Sequence, residues 1–423
     1  MSWPVLPLKR LVDPARSITY GIVQAGPDTP GGIPYIRPVD MSASAGVPDP
    51  MTLLRTTPQI ADSYNRSAVK PGDLVVSIGP SYGKLMIVPR ELAGANLTQG
   101  TARVAASETT SSRFLHWALQ TAMARQFWDA SAGGATFRAL NLEPLGRTPV
   151  PLPPLDEQRR IADFLDMETA RIDQLINLQQ NARSLIDERD HSLRDGLMDH
   201  LAISVGEIPL RRFIMKVEQG ASPQCDTFPR EEGSDWGVLK LSAIKRGHFN
   251  PSENKRLPSE VEPNRSHEVQ RGDLLVSRAN TPALVGDAAV VGSDHKKLLL
   301  PDLIYRVVLS PGMDAKYVAQ VALSGRVRTL IESVARGSSQ SMVKLRGEDI
   351  KNWPIPAASS SQQAEVVEEI ERETRVTDRL RSAASSLIRL LAERRQALIT
   401  AAVTGQFDVS TASGRNVTEG VSA

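Results

Sequence analysis

PVPLPPLDEQRRIADFLDMETARIDQLINLQQNARSLIDERDHSLRDGLMDHL, residues 149–201, decides the architecture. Pro149, Pro151, Pro153 and Pro154 hold the chain extended. Asp156 stands where it can cap a helix, with Glu157 near the positive end. No proline follows, and no glycine until Gly196. Apolar or small residues fall at Ile161, Leu165, Ile172, Leu175, Ala182, Ile186 and Leu193, with polar interruptions at Glu168, Gln179 and Arg189. These alternating steps of four and three predict a coiled-coil seam. A helix of roughly 45 residues is about 65 Å long, and its stripe needs a second helix to cover it.

The same chain supplies that second helix. Adding 205 to each seam position gives Val366, Ile370, Thr377, Leu380, Leu387, Leu391 and Leu398, and the interruptions become Glu373, Ala384 and Arg394. Asp156-Glu157-Gln158 becomes Ser361-Gln362-Gln363, so the register persists along the helix and marks an internal repeat. The repeat reaches further back. Pro7-Leu8-Lys9-Arg10 matches Pro209-Leu210-Arg211-Arg212, and Gly72-Asp73-Leu74 matches Gly272-Asp273-Leu274.

Each half therefore reads as a mixed α/β unit of roughly 150 residues followed by a long helix. The expected boundaries are a first globular domain at 1–150, a spacer helix at 151–203, a second domain at 204–355, a second helix at 356–406 and a disordered tail at 407–423. Short strand-like runs, Leu74 to Ile78 and Leu85 to Val88, recur at Leu274 to Ser277 and Ala288 to Val291. Helical patterns follow at Ser112 to Trp128 and at Ala315 to Val334. Before each long helix comes a polar loop with glycine, Ser131 to Arg138 and Arg336 to Lys344.

Composition narrows the function. The chain has 423 residues, 50 basic against 48 acidic, and only 4% aromatic, so base stacking on aromatic platforms is a poor guess for its main binding mode, while basic faces remain open. A single cysteine, Cys225, permits no internal disulfide and no thiolate cluster, and no window reaches a membrane span, which points to a reducing cytoplasm. The six histidines show no ligand spacing. Ser77 to Lys84 is one residue short of a phosphate loop and has Leu85 at the magnesium position, so it reads as a turn between strands. Arg271-Gly272-Asp273 shares only a turn with its repeat mate Pro71-Gly72-Asp73. Asp302, Asp314 and Lys316 fit a loose nuclease pattern that the first half lacks. Neither a methyltransferase base-holding tetrapeptide nor a dinucleotide fingerprint is present. The chain reads as non-catalytic.

The polar loops are the most informative stretches. As flexible connectors they carry nothing; as recognition loops, Arg336, Ser338, Gln340 and Lys344 bring donors to base edges or phosphates. Arg37, Lys84, Arg138, Lys240 and Arg278, at turns or strand ends, are further candidates for DNA contact. Glu168, Gln179, Arg189 and Arg394 either control helix register or bond a partner protein.

Taken together, Pro151-Leu152-Pro153-Pro154-Leu155-Asp156-Glu157-Gln158-Arg159-Arg160-Ile161, the Gly-Asp-Leu turns and the ending Arg394 to Gly405 resemble the specificity subunits of Type I restriction–modification enzymes. In the second half the proline-leucine form is eroded to Ala357-Ala358-Ser359-Ser360-Ser361. The resemblance implies an α+β chain with two target-recognition domains separated by two long antiparallel helices. It also implies double-stranded DNA as ligand, each domain reading one half of a split asymmetric site. Two modification subunits would bring S-adenosylmethionine, and two restriction subunits ATP and magnesium. The rival expectations are a coiled-coil scaffold without DNA binding and a self-sufficient nuclease.

Overall fold

The computed structural model of the chain describes residues 3–41, 48–132, 138–339 and 342–409, with the backbone alone for Arg336–Ser339. Two long helices, Leu155–Val205 and Ser360–Thr404, run at the predicted places. The chain forms two compact units, one from residues 1–180 and 385–423, the other from 181–384. Each unit thus holds one globular domain and a stretch of both helices.

In the first unit, Thr19–Tyr20, Thr101–Val104, Leu74–Ser77 and Leu85–Ile87 form a four-stranded antiparallel sheet in that spatial order. A second sheet joins Arg55–Thr56, Ile33–Ile36 and Asn96–Leu97. The central strand is buried on both faces. Leu74 and Val76 enter the core shared with the helices, while Val75 enters a separate core with Ile36, Leu92 and Leu97. Alternation along the strand thus serves two layers. The second unit repeats this layout with Ile214–Gln219, Ile304–Leu309, Leu274–Ser277 and Ala288–Val290; Leu274 and Val276 face the helices and Leu275 the opposite core.

The Gly-Asp-Leu repeat is structural. Gly72 and Gly272 have φ of +87° and +92°, a region that glycine enters without a Cβ penalty. The buried Asp73 accepts from the Lys70 N–H at 2.7 Å and takes the Arg16 guanidinium in a fork at 2.6 and 2.7 Å. Asp273 accepts from the Gln270 N–H at 2.8 Å and pairs with Arg306 at 3.0 Å. The bland reading of Arg271-Gly272-Asp273, a turn before a strand, is therefore the right one. Ser77 to Lys84 is likewise a hairpin connection, with the Lys84 N–H donating to Ser77 Oγ at 2.9 Å. Of the nuclease pattern, Asp314 caps a helix by accepting from the Tyr317 N–H at 2.8 Å, and Lys316 pairs with Glu371 at 2.8 Å.

Each domain is closed at its neck. Val5–Pro7 pairs antiparallel with Pro149–Pro151, and Glu207–Pro209 with Pro354–Pro356. The prolines sit in two-stranded ribbons, where a missing N–H costs no ladder bond. One turn into each long helix a glutamine locks the neck. Gln158, 1% exposed, accepts from the Ser111 N–H at 2.8 Å and donates to the carbonyls of Pro153 at 2.9 Å and Thr109 at 3.3 Å. Its repeat mate Gln363, 2% exposed, accepts from the Asp314 N–H at 2.9 Å and donates to Ala358 at 2.9 Å and Gly312 at 3.2 Å. The eroded motif of the second half keeps the one side chain that does this.

Within each unit the helix stretches run antiparallel and touch. In the first, Arg395 pairs with Asp173 at 2.9 Å and Phe407 packs edge-on against Phe164. In the second, Arg189 pairs with Glu373 at 2.7 Å, Thr377 donates to Asp190 at 2.9 Å, and Arg381 bridges Asp187, Asp190 and Asp378. Burial has pushed the Asp187 carboxyl up, but hydrogen bonds from Arg381 and Arg246 outweigh it and hold the pKa below the ordinary value.

Four expectations change. The seam is narrower than two positions per heptad. On the second helix Ile370, Thr377, Ala384, Leu391 and Leu398 are buried at steps of seven, whereas Leu380 and Leu387 are 48% and 41% exposed. Leu175 is 47% exposed, and Ile176 packs on the core instead, the drift expected when a 3.6-residue turn meets a 3.5-residue repeat. The first helix begins at Leu155, so Asp156 lies inside its first turn. The helical runs are each broken, into Ser112–Ala118 and Ala122–Ser131 and into Ala315–Ala322 and Gly325–Val334. The second piece starts against a long helix each time: the Ala122 N–H donates to Thr400 at 3.4 Å and the Gly325 N–H to Asp195 at 2.7 Å, and 195 and 400 are again 205 apart. Finally, Val409 is buried, so the chain is packed to that point; residues 410–423 of the expected tail lie outside the described residues.

Replacing either clamp, Gln158→Ala or Gln363→Ala, removes the partner of one partly buried N–H and two carbonyls. A loss of about 1–3 kcal/mol is expected in urea unfolding. His116 gives a pH prediction. Burial pushes its pKa down to about 4, below the ordinary value, so it is neutral when folded. The unfolded chain then binds the extra proton between about pH 6.5 and 4. Stability should fall as pH drops through that window, by at most about 1.4 kcal/mol per pH unit, and His116→Gln should flatten the titration.

Candidate nucleic-acid interface

The second polar loop is a β-ribbon rather than a loop. Arg336–Ser339 pairs with Met342–Lys344, which pairs in turn with Ala279–Asn280. Lys344 lies opposite Ala279 on one side and Arg336 on the other, and the Leu345 N–H donates to the Arg278 carbonyl at 2.8 Å. Three of the candidate residues, Arg278, Arg336 and Lys344, are thus gathered by register. Alternation splits the middle strand. Val343 packs toward the core, while Met342 and Lys344 are exposed. Leu345 is buried and its carbonyl accepts from the Tyr305 hydroxyl at 3.4 Å. A DNA major groove admits a two-stranded β-ribbon, and this one is anchored through Val343 and Leu345 with Lys344 exposed.

Arg278 belongs to the anchor. Its guanidinium donates to the Asp302 carbonyl at 3.1 Å and lies 5.9 Å from the Tyr305 ring centroid. The side chains of Arg336 and Ser338, and Gln340 altogether, lie outside the described residues.

The first unit has the same base. The Leu140 N–H donates to the Ile78 carbonyl at 2.9 Å, as Leu345 does to Arg278. Arg138, next to this point, is exposed. Residues 133–137 of the first polar loop lie outside the described residues. Arg37 and Lys84 come together around one turn. Arg37 is forked onto Asp40 at 2.7 and 2.9 Å, a hydrogen bond that raises its pKa, and Lys84 Nζ donates to the Pro38 carbonyl at 2.8 Å. Lys240 sits 3.7 Å from Glu253. Arg37, Lys84, Lys240 and Arg278 therefore have protein partners, and among the described side chains of the set Lys344 and Arg138 are the exposed cations.

Of the residues proposed to meet partner proteins, Glu168 pairs with Arg171 one turn along its own helix at 2.5 Å, and Arg189 with Glu373. Gln179 is half-buried and Arg394 exposed. Reading by pattern missed Gln158 and Gln363 as locks, although their 205-residue spacing was visible. It also missed the Arg381 cluster, because nothing local links Asp187 and Asp190 to a residue so far along the chain.

The family described as "Type I restriction modification DNA specificity domain" matches residues 24–183. The chain is 31% identical over 179 residues to the Type I restriction enzyme EcoEI specificity subunit of Escherichia coli, covering 42% of this chain and 29% of that one. It is 28% identical over 192 residues to the EcoBI specificity subunit of Escherichia coli, covering 45% and 40%. The match thus spans less than half the length of either relative. A solved structure titled "Structural basis underlying complex assembly and conformational transition of the type I R-M system" aligns over 96% of this chain and 98% of its own, with a TM-score of 0.64 and 17% identity, a likeness of fold. The chain is similar to Type I restriction enzyme specificity subunits, and residues 24–183 match the model of their DNA specificity domain.

Lys344 carries the prediction here. Lys344→Gln removes an exposed charge from the ribbon without touching Val343 or Leu345. Duplex affinity should drop several-fold and the slope of log Kd against log salt should lose about one unit, measured by fluorescence anisotropy.

Proposed function

We propose that this relative of the Type I specificity subunits reads a bipartite, asymmetric duplex DNA site and directs adenine methylation and restriction by partner subunits, without catalysis of its own. The observation that carries this reading is the duplication itself: two units of one layout, each built on both long helices and each presenting a different polar segment. Unlike segments read unlike half-sites. Phosphate contacts supply affinity and base edges supply choice. Joining two readers in one chain raises the effective concentration of the second contact. If the helices act as a strut, only half-sites of one spacing and helical phase can be engaged together.

S-adenosylmethionine, ATP and magnesium belong, in this reading, to two modification and two restriction subunits. Exposed apolar side chains support a protein partner on the helices: Leu175 and Leu178, with Leu387 and Leu390, in the first unit, and Leu185 and Leu380 in the second. Among the described residues no helix is long and apolar enough to cross a membrane, which is in keeping with a cytoplasmic place beside DNA.

Exchange of residues 1–150 for those of another such chain tests the reading. Mapping methylated adenines in cells should show one half of the recognised site changed and the other kept. A change in both halves, or in neither, overturns it.

A further inference from the structure

We propose that the first unit carries a phosphate clamp beside its reading segment, a groove lined by Arg16, Arg66, Lys70 and Arg103 that takes a backbone phosphate of the bound duplex. The proposal rests on the DNA-reading role above and adds a site to it. Among the described residues no carboxylate lines this groove. Arg66 and Lys70 are exposed. Arg103 is 5% exposed and projects from the sheet strand Thr101–Val104. Its guanidinium donates to the carbonyls of Ala68 at 3.2 Å, Ser17 at 3.3 Å and Arg66, while its buried Nε has no partner among the described residues. Carbonyl oxygens orient a guanidinium but do not cancel its charge. Desolvation and the nearby Arg16 act against that charge and outweigh the pull of Asp73 and Asp13, so an arriving anion relieves the site. Asp73 is committed to Arg16 by its fork. Three positive charges are left for one groove.

The internal repeat provides the contrast. Thr19 pairs with Arg103 across the sheet, and in the second unit Glu218 pairs with Arg306 at the same register. Glu218 lies 3.2 Å from Arg306 and 2.6 Å from Lys216, and Asp273 lies 3.0 Å from Arg306. Ser266 and Gln270 stand 200 residues after Arg66 and Lys70, with Arg265 and Arg271 beside them. The second unit therefore pairs its buried arginine directly with carboxylates, whereas Arg103 is held by carbonyls and feels Asp73 and Asp13 only at longer range.

Position identifies the anion. Tyr20 and Leu142 line this groove and also the shallow depression formed with Ile78, Gly79, Gly100 and Ala139. The groove thus runs up to the base of the segment bearing Arg138. A duplex presenting base edges to that segment lays its sugar–phosphate strand across the cations. Inorganic phosphate shares the chemistry, and the experiment separates the two sources.

The test uses the full chain, alone and assembled with its modification subunits. The variants are Arg66→Gln, Lys70→Gln and the double variant, all at exposed positions, with thermal unfolding as the check on folding. Duplex binding is titrated across salt on a cognate and an unrelated sequence. The double variant should lose affinity several-fold and equally on both sequences, and its salt slope should be shallower by about one to two units. Unchanged affinity and slope in the double variant, with binding still weakened by Lys344→Gln, overturn the clamp and leave the reading role standing. No duplex binding by the unaltered chain overturns the reading role itself. Thermal stabilisation by inorganic phosphate that the double variant loses, with its salt slope intact, overturns the duplex as the source.

Discussion

A single carboxamide at the start of each long helix fixes the geometry on which the rest depends. Gln158 and Gln363 each satisfy one N–H at the head of a domain helix, one carbonyl of the loop before that helix and one carbonyl beside the neck. Such a group is worth little as one more hydrogen bond and more as three made together from a buried side chain to backbone groups at least partly buried. Because the first and last strands of each domain also pair at the neck, both ends of each domain meet beside the start of the long helix that follows it. The helix direction is set relative to the domain by that place. The Thr400 and Asp195 contacts to the second short helix of each domain add a further hold from the opposite long helix.

The helix pairing follows a different logic near the domains and away from them. Large aliphatic side chains, Ile161, Leu165 and Leu398 in the first unit and Met198 and Ile370 in the second, bury against domain cores. Farther along, the contact positions hold Thr377, Ala384 and the Asp187–Asp190–Arg381 cluster. Small and ionic contacts of this kind specify alignment more than they stabilise. They also leave leucines such as Leu178 and Leu390 facing outward.

Much of this was legible in the chain. A 205-residue repeat of a proline-to-helix junction is visible without coordinates, and so are the Gly-Asp-Leu turns, since glycine at positive φ and a turn-capping aspartate leave a local signature. The strands Leu74–Ser77 and Leu274–Ser277 were readable because their burial is continuous. Heptad counting went astray at Leu175, Leu380 and Leu387, where it supposed two apolar layers and the helices use one. The breaks before Ala122 and Gly325 escaped notice because distant residues help to start those helices. The ribbon at Arg336–Lys344 read as a loop because polar, glycine-bearing pairs carry no hydrophobic alternation beyond Val343. Arg66 and Arg103 escaped because a groove without carboxylates is a property of neighbours in space.

The first unit is assembled from two separate stretches of the chain, residues 1–180 and 385–423. Leu391, Leu398, Ile399, Ala402 and Val403 belong to the same core as Leu8, Leu74 and Trp128, whereas the second unit is an unbroken stretch. On the ribosome, then, the half that is translated first must wait longest. The later half can mature as soon as its own segment has emerged, while the earlier one lacks part of its core until residues 391–403 have been made, which reverses the usual vectorial order of folding during synthesis.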